Sequence, residues 1–233
     1  MMKKTVISIL LGLLLTITSA QEKPSFISLN TGVSMPVGGF HSTELPDGGF
    51  AQAGMNVSLE GAWFLTPWLG AGAQAMACYN PVDVGALGSE KLNNDPFLED
   101  LVIRSDPYRT LCAYAGAYFN VALKRKFSFT AKALGGMIYA STPYQLYKAQ
   151  YFMLGEKWYE ITSAGDYDAS FMAGAGLRYD LNEAVAFALN GEFTYNQADF
   201  TFSTATGSRT DLKVISFLNV GVGVVWRIGG SRQ

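Results

Sequence analysis

The residues best suited to hydrolytic chemistry lie close together near the start of the chain. His41 is the only histidine among the 233 residues, Ser42 follows it directly, and Glu44 lies two residues further on. A serine, a histidine and an acid can form a nucleophilic relay, but only when a rigid scaffold holds them in a fixed mutual geometry. Three neighbours in a loop rich in Gly and Pro lack such a scaffold. We therefore interpret His41 as a solvated loop histidine, assign no catalytic residue and expect the protein not to be an enzyme.

Cys78 and Cys112 are the only cysteines. No histidine or second cysteine lies beside either one, so their spacing is not that of a metal site. We predict no metal and no cofactor. Counting along the two strand candidates that contain them brings Cys78 opposite Cys112, near the loop end of one hairpin. Because export favours oxidation, we predict a disulfide. An offset of a residue or two between the strands would instead leave two free thiols.

Four charged residues interrupt otherwise alternating segments of the chain. They are Glu60, Lys132, Arg178 and Glu192. Each shares parity with small or polar neighbours, which places it on the inner face of its strand, and buried charges must pair or they destabilise the fold. We predict an ion pair between Glu60 and Lys132, with Arg178 and Glu192 nearby. The cluster is either a structural plug or a gate on an ion path. A catalytic carboxylate pair is not favoured, because acids and bases are matched.

The elements that must position these residues are strands. From Leu212 to Ile228 the chain alternates with a period of two, which predicts a strand with one apolar side. This run is far longer than a usual strand of about 5–6 residues. Its second face carries Gly221 and Gly223. Length, alternation and a Gly-rich second face together favour a strand that crosses a bilayer inside a closed barrel.

The whole chain contains eight such candidates: Phe26–Met35, Phe50–Phe64, Trp68–Tyr79, Tyr108–Leu123, Phe127–Ser141, Tyr167–Asp180, Ala184–Asp199 and Leu212–Ile228. Three connections have three residues each, and the other four are long. Short turns on one side and long loops on the other are typical of an up-and-down barrel in an outer membrane. The predicted fold is therefore an all-β, eight-stranded antiparallel up-and-down transmembrane β-barrel. A soluble barrel is the alternative, and the side on which the charges lie decides between them.

Composition and the first residues agree with export. Lys3 and Lys4 precede an apolar run that ends in small residues at Ala20, which predicts a signal peptide over residues 1–20 and one barrel domain over 21–233. Charged residues make up only 15% of the chain, against about 25% in soluble proteins. Loss of the two lysines changes the net charge from −2 to −4, so we expect no nucleic-acid partner.

This combination of features resembles the small OmpA/OmpX-type outer-membrane β-barrels. The resemblance covers Phe26 to Ile228 and rests on pattern. It implies residence in the outer membrane of a Gram-negative cell, contact with its lipid, and insertion by the assembly machinery of that membrane. In that family the machinery reads an aromatic residue at the very C-terminus. Here Trp226 is followed by Arg227, Ile228 and a polar tail.

The long loops are where we expect function on a rigid barrel. The third loop is rich in aromatic residues and is predicted to form a hairpin around Gly155-Glu156; its binding candidates are Tyr144, Tyr147, Tyr151, Phe152, Trp158 and Tyr159. They either bind a protein or glycan or pack on the second loop. We predict a barrel with a packed lumen and a role in envelope integrity or in binding through its loops. The alternatives are a narrow, low-conductance pore and a lipid-modifying enzyme of the outer membrane.

Overall fold

The protein forms a closed barrel of eight antiparallel strands in a computed structural model. The structure describes residues 25–45, 48–124, 126–204 and 207–228, without the side chains of 124 and 198–213. The predicted signal peptide lies outside the described residues. The barrel strands are β1 (Phe26–Pro36), β2 (Gly54–Phe64), β3 (Leu69–Asn80), β5 (Tyr108–Lys124), β6 (Phe127–Ser141), β9 (Gly165–Asp180), β10 (Val185–Thr204) and β11 (Gly207–Arg227).

The strands follow one another around the barrel in chain order. The first and last strands close it, with Phe26 opposite Arg227 and Pro36 opposite Phe217. This up-and-down order needs only short connections at one end, and the chain supplies them at 65–68, 125–126 and 181–184. Both ends of the described chain lie at this same turn end. The predicted fold class and the eight predicted strands are confirmed.

Alternation of side chains sorts each strand into an inner and an outer face. Along β1, even-numbered residues such as Ser28 and Asn30 are buried, whereas Ile27 and Leu29 are exposed. A period of two has this effect on any strand, because successive side chains point to opposite faces of the sheet. An eight-stranded barrel has an interior just wide enough for side chains. The inward set is therefore packed as a core.

A second, smaller sheet lies on the loop side and was only partly predicted. It consists of β4 (Leu98–Ser105), β7 (Gln145–Tyr151) and β8 (Gly155–Ile161), with β7 in the middle. The predicted hairpin is its β7–β8 pair. The third strand comes from the second loop, which also contains α1 (Val84–Asn94). Two loops far apart in sequence thus form one body above the barrel.

Two boundaries differ from the prediction. Strand β2 begins at Gly54 instead of Phe50, because Phe50 has a φ of 52° and turns into the loops, where it is buried. At the other end of the chain, β10 and β11 continue as a paired hairpin to Thr204 and Gly207, through much of the segment 200–211 that was expected to be a loop. Among the described residues, no helix is long and apolar enough to span a bilayer.

Candidate functional site

The first candidate site is the charge cluster inside the barrel. Strands β2, β6 and β10 contribute Glu60, Lys132 and Glu192 from different sides of the wall, and all three side chains are buried. Each lies on the inward parity of its strand. The space for Lys132 is supplied by its cross-strand neighbour Gly174, where a Cβ atom would lie 3.0 Å from the Lys132 Cε atom. A residue with a side chain at position 174 would therefore crowd the lysine, which would have to shift by a few tenths of an ångström.

Lys132 uses all three of its protons. Its Nζ atom donates to Glu60 Oε2 at 2.5 Å, to Glu192 Oε1 at 2.7 Å and to Gln74 Oε1 at 2.8 Å. An ammonium group has three donors and no acceptor, so this cation is fully satisfied. The structure thus brings together three of the four charges singled out in the sequence.

The two carboxylates accept further hydrogen bonds from neighbouring side chains. Ser28 Oγ donates to Glu60 Oε1 at 2.9 Å, and Tyr118 donates to Glu60 Oε2 at 3.3 Å. Gln74 Nε2 donates to Glu192 Oε2 at 3.0 Å. A buried polar network of this kind is rigid when every member is satisfied. Sequence reasoning missed Ser28, Gln74 and Tyr118, although their inward parity was visible in the alternation of their strands.

Arg178 lies beside this cluster and forms no salt bridge with it. Its guanidinium packs over the Phe26 ring at 4.0 Å from the centroid, and its Nε atom has no hydrogen-bond partner. The residue is only 4% exposed. Its charge acts through space on the carboxylate of Glu60. The expected proximity is present, but the contact is cation–π instead of an ion pair.

The packing around the cluster leaves little room for water or ions. The cavity between Glu60, Tyr118, Lys132, Arg178 and Asn190 has a volume of about 10 Å³. That is about the room that one water molecule needs. Beside Lys132 this cavity therefore has room for about one water molecule.

The two cysteines do not form the predicted disulfide. Both are buried on the inner face as free thiols. The register explains this result: Cys78 pairs with Thr110, and Cys112 pairs with Met76. The cysteines are therefore diagonal neighbours, offset by two residues, instead of lying directly opposite each other.

The Ser-His-acid neighbours do not form a relay. His41 Nδ1 lies 3.0 Å from the carbonyl oxygen of Ala51, a contact that uses this nitrogen as a donor. Ser42 Oγ accepts a hydrogen bond from the backbone N–H of Glu44. The histidine and serine side chains are thus engaged with backbone groups.

The second candidate site is the loop sheet formed by β4, β7 and β8. Tyr147 is its anchor: it is 1% exposed and packs with Phe50 and Leu87. Its ring stacks on Tyr159 with 4.7 Å between centroids, and Lys91 of α1 lies over it at 5.1 Å. Burial raises the pKa of Tyr147. This candidate binding residue is therefore a packing residue, and the sheet is held onto the neighbouring loops by it.

The outer end of the loop sheet exposes large apolar side chains. We call Phe97, Phe152, Met153 and Leu154 the apolar tip; their exposed fractions lie between 66% and 85%. The backbone N–H of Phe152 donates to the carbonyl oxygen of Phe97 at 3.0 Å, so the two loops meet there. Sequence reasoning missed Phe97, whose position beside the hairpin depends on the pairing of β4 with β7.

The remaining aromatic candidates lie along the β7–β8 hairpin, from its base next to Gln145 to its outer end at Tyr151. Trp158 is exposed and donates to Glu156 at 2.7 Å, and Glu156 also pairs with Lys148 at 2.9 Å. The hydrogen bond from Lys148 and then that from Trp158 lower the pKa of Glu156. Tyr144 donates to Glu160 at 2.5 Å. Tyr151 ends β7 beside the tip. Trp158 and Phe152 are thus accessible to a partner.

The outer face of the barrel is apolar over most of the strand length. Exposed residues on this face include Leu29, Val57, Leu59, Val121, Phe129, Leu177, Leu189, Val220 and Val222. Aromatic residues border this band at both ends, with Trp63 and Trp226 on the turn side and Tyr79, Tyr167 and Tyr195 on the loop side. In a soluble barrel the apolar side chains would point inward and the polar side chains outward. The observed facing favours a barrel surrounded by lipid.

The fold is that of the small eight-stranded outer-membrane β-barrels. Neisserial surface protein A (NspA) has a solved structure that matches 89% of this chain and 99% of its own, with a TM-score of 0.51 and 8% sequence identity. A major outer membrane protein from Thermus thermophilus matches 88% of this chain and 99% of its own, with a TM-score of 0.48 and 11% identity.

Sequence identity between this chain and the solved structures is low. Ail, the attachment invasion locus protein of Yersinia pestis, is 14% identical, with a TM-score of 0.43 and coverage of 86% of this chain and 97% of its own. No protein-family model matches the sequence, and no curated protein matches it. The likeness to solved structures is therefore a likeness of fold.

Proposed function

We propose that the protein resides in the outer membrane and presents its loop sheet as a binding surface for a protein or glycan. The apolar tip carries this proposal. Monomeric soluble surfaces rarely expose large contiguous apolar groups without a partner, and here four of them are held together by two loops. Aromatic and apolar anchors of this kind are typical centres of interfaces.

The closed interior supports a binding role over a transport role. Lys132 is fully engaged, and the space beside it holds about one water molecule. A barrel with such an interior serves as a rigid anchor for its loops. The proposal includes no catalysis, because His41 and Ser42 are engaged with backbone groups.

The binding role is tested with purified protein in lipid nanodiscs, screened against a glycan array and a panel of purified cell-surface and matrix proteins. The variant Phe97→Ser/Phe152→Ser/Met153→Ser/Leu154→Ser removes the apolar tip. We expect it to lower the affinity for a ligand bound by the wild type at least about tenfold, because interface anchors dominate binding.

The matched control is Leu65→Ser/Leu181→Ser, which removes exposed apolar residues at the turn end of the barrel. It should bind as the wild type does. Equal binding by the tip variant and the wild type would contradict the proposal, as would a panel in which nothing binds above empty nanodiscs.

The narrow pore is the competing function and has its own measurement. Single-channel recordings of the purified protein in a planar bilayer should show no steps above the empty-bilayer background, because the cluster closes the interior. Reproducible conductance steps that change on Lys132→Ala would contradict a closed interior and indicate a small pore gated by its interior charges.

A further inference from the structure

The apolar tip lies at the end of the loop sheet away from the barrel. The β7–β8 hairpin turns at Phe152, Met153 and Leu154, and Phe97 meets this turn from the second loop. The four side chains are between 66% and 85% exposed, and none of them carries a hydroxyl, amide or charged group. Such a surface gains from contact with apolar groups of a partner and offers no side-chain donor to the hydroxyl groups of a glycan.

The two loops that carry the tip are acidic. Residues 81–107 and 142–164 together contain eight acidic and four basic side chains. The excess is greatest in the second loop, where residues 92–103 contain three acids and no lysine or arginine. On the hairpin, Glu156 is paired with Lys148 at 2.9 Å. The negative charge next to the tip therefore comes from the second loop.

The three acids of the second loop lie on either side of Phe97, and we call Asp95, Glu99 and Asp100 the acidic rim. Glu99 and Asp100 are exposed, and Asp95 is half-buried. Asp95 Oδ1 accepts a hydrogen bond from the backbone N–H of Phe97 at 3.0 Å, and Asp100 Oδ1 accepts one from that of Leu101 at 2.9 Å. Within the described part of the chain, none of the three forms an ion pair. Their charges are therefore open to a cation from outside the protein.

We propose that the partner of the loop sheet is a basic polypeptide, which places apolar side chains on the tip and lysine or arginine side chains on the acidic rim. The inference rests on the proposed function and narrows its partner from a protein or glycan to this class. An apolar centre with a polar border is the usual anatomy of a protein–protein interface, and complementary charge selects the partner and speeds its association. A sulfated glycan carries the wrong sign of charge, and a neutral glycan gains nothing from the rim.

An array of short peptides of random sequence, probed with the purified protein in phosphatidylcholine nanodiscs, tests this inference. Peptides that bind empty nanodiscs are subtracted. The remaining binders should be enriched both in Lys or Arg and in Phe, Leu or Trp. The affinity of the strongest binder should fall as the salt concentration rises, because salt screens contacts between exposed charges. Binders without an excess of basic residues would overturn the inference.

The variant Asp95→Asn/Glu99→Gln/Asp100→Asn neutralises the acidic rim. Each new side chain keeps one carbonyl oxygen, so the acceptors of the Phe97 and Leu101 N–H groups remain. The variant should lower the affinity for the strongest-binding basic peptide about fivefold or more, because three complementary charges are lost. Its remaining affinity should depend less on salt than that of the wild type.

The matched control removes the same charge from exposed acids away from the tip. Glu44→Gln/Asp106→Asn/Glu160→Gln changes one residue of the first loop, one just after the barrel end of β4 and one near the barrel end of β8. The net charge of this variant equals that of the rim variant. It should bind the basic peptide as the wild type does, and a loss equal to that of the rim variant would contradict a contact at the rim.

The tip variant described above separates failure of this inference from failure of the proposed function. If removal of the tip abolishes binding while the neutralised rim binds as the wild type does, the binding role stands and the basic partner is wrong. If neither variant changes binding, both are contradicted. An array without binders above the empty-nanodisc background overturns the inference, as does a tip that binds phosphatidylcholine vesicles or a neutral glycan instead of basic peptides.

Discussion

At the scale of single residues, Lys132 is the centre of the interior. It bonds to two carboxylates and one amide oxygen, all buried. The pair with Glu60 followed from parity and depth along the strands. The contact with Gln74 could not be predicted in this way. Alternation along a strand predicts that a polar side chain points inward, but it does not predict which residue that side chain contacts across the barrel. Partners across a lumen depend on strand register and shear.

The first prediction concerns the loss of this cation. Lys132→Met should lower the free energy of unfolding by about 3–5 kcal/mol, because Glu60 and Glu192 are then left as buried, unpaired charges. The measurement is urea unfolding from phospholipid vesicles, followed by tryptophan fluorescence. The triple variant that adds Glu60→Gln and Glu192→Gln should recover most of the loss.

Lys148→Met is the matched control, since Lys148 also pairs with a glutamate, at 2.9 Å, but on the exposed loop sheet. A surface pair contributes about 0–1 kcal/mol. Equal effects of the two lysine substitutions would show that the interior cluster does not stabilise the barrel.

The cysteines illustrate what a residue-level argument lacks. Both were expected on the inner face near the loop end of one hairpin, and both are there. The predicted disulfide is not formed, because Cys78 and Cys112 are offset by two residues between adjacent strands. That offset depends on the register of β3 against β5, which neither cysteine determines.

At the scale of elements, the barrel strands were predictable and the loop elements were not. A strand with one lipid-facing side alternates over its whole length, so its sequence carries the pattern. Helix α1 has the sequence VGALGSEKLNN, whose two glycines disfavour a helix. It begins because the Asp83 side chain accepts a hydrogen bond from the backbone N–H of Ala86 at 2.9 Å, and it is held by packing of Leu87 on Tyr147.

This helix cap yields the second prediction. The hydrogen bond from Ala86 lowers the pKa of Asp83 below its value in the unfolded chain. The cap therefore stabilises α1 fully above the unfolded pKa of about 3.9, and the stabilisation is lost as pH falls through the lower, folded pKa. Hydrogen-exchange protection factors of the α1 amides should fall on acidification below about pH 4.

Two variants separate the cap from its charge. Asp83→Ala should weaken α1 by about 1 kcal/mol at pH values above about 4, where the Asp83 cap is charged, since alanine cannot cap a helix. Asp83→Asn keeps a capping oxygen and should show no loss of protection from this position at pH values below about 4. The same acid-induced loss in the Asn variant would mean that another group is responsible.

At the scale of the whole molecule, the side of the barrel on which the apolar side chains lie indicates whether lipid or water surrounds it. Val222 and Val102 are both exposed hydrophobic residues, at 60% and 49%, but Val222 lies halfway along the apolar outer band of β11 and Val102 lies on the loop sheet. The exposed fraction of a side chain alone does not show whether it contacts lipid or water. Its position on the outer wall of the barrel or on the loop sheet distinguishes the two.

The third prediction uses this pair. Val222→Arg should lower the free energy of unfolding from vesicles by about 2–4 kcal/mol, because a charge on the lipid face near the bilayer midplane is costly. Val102→Arg should change it by less than about 0.5 kcal/mol, as a surface substitution does. Equal, small effects of both substitutions would indicate that Val222 faces water and would favour a soluble barrel.

The sequence by itself determined the architecture: the number of strands, their alternation, the apolar outer face and the inward charges. It could do so because a period of two and a lipid-facing side are local properties that each strand carries on its own. Tertiary structure alone decided which inward groups meet, that the cysteines miss each other, and that two distant loops share one sheet. These outcomes depend on register, closure and pairing between segments far apart in the chain, and no single segment contains them.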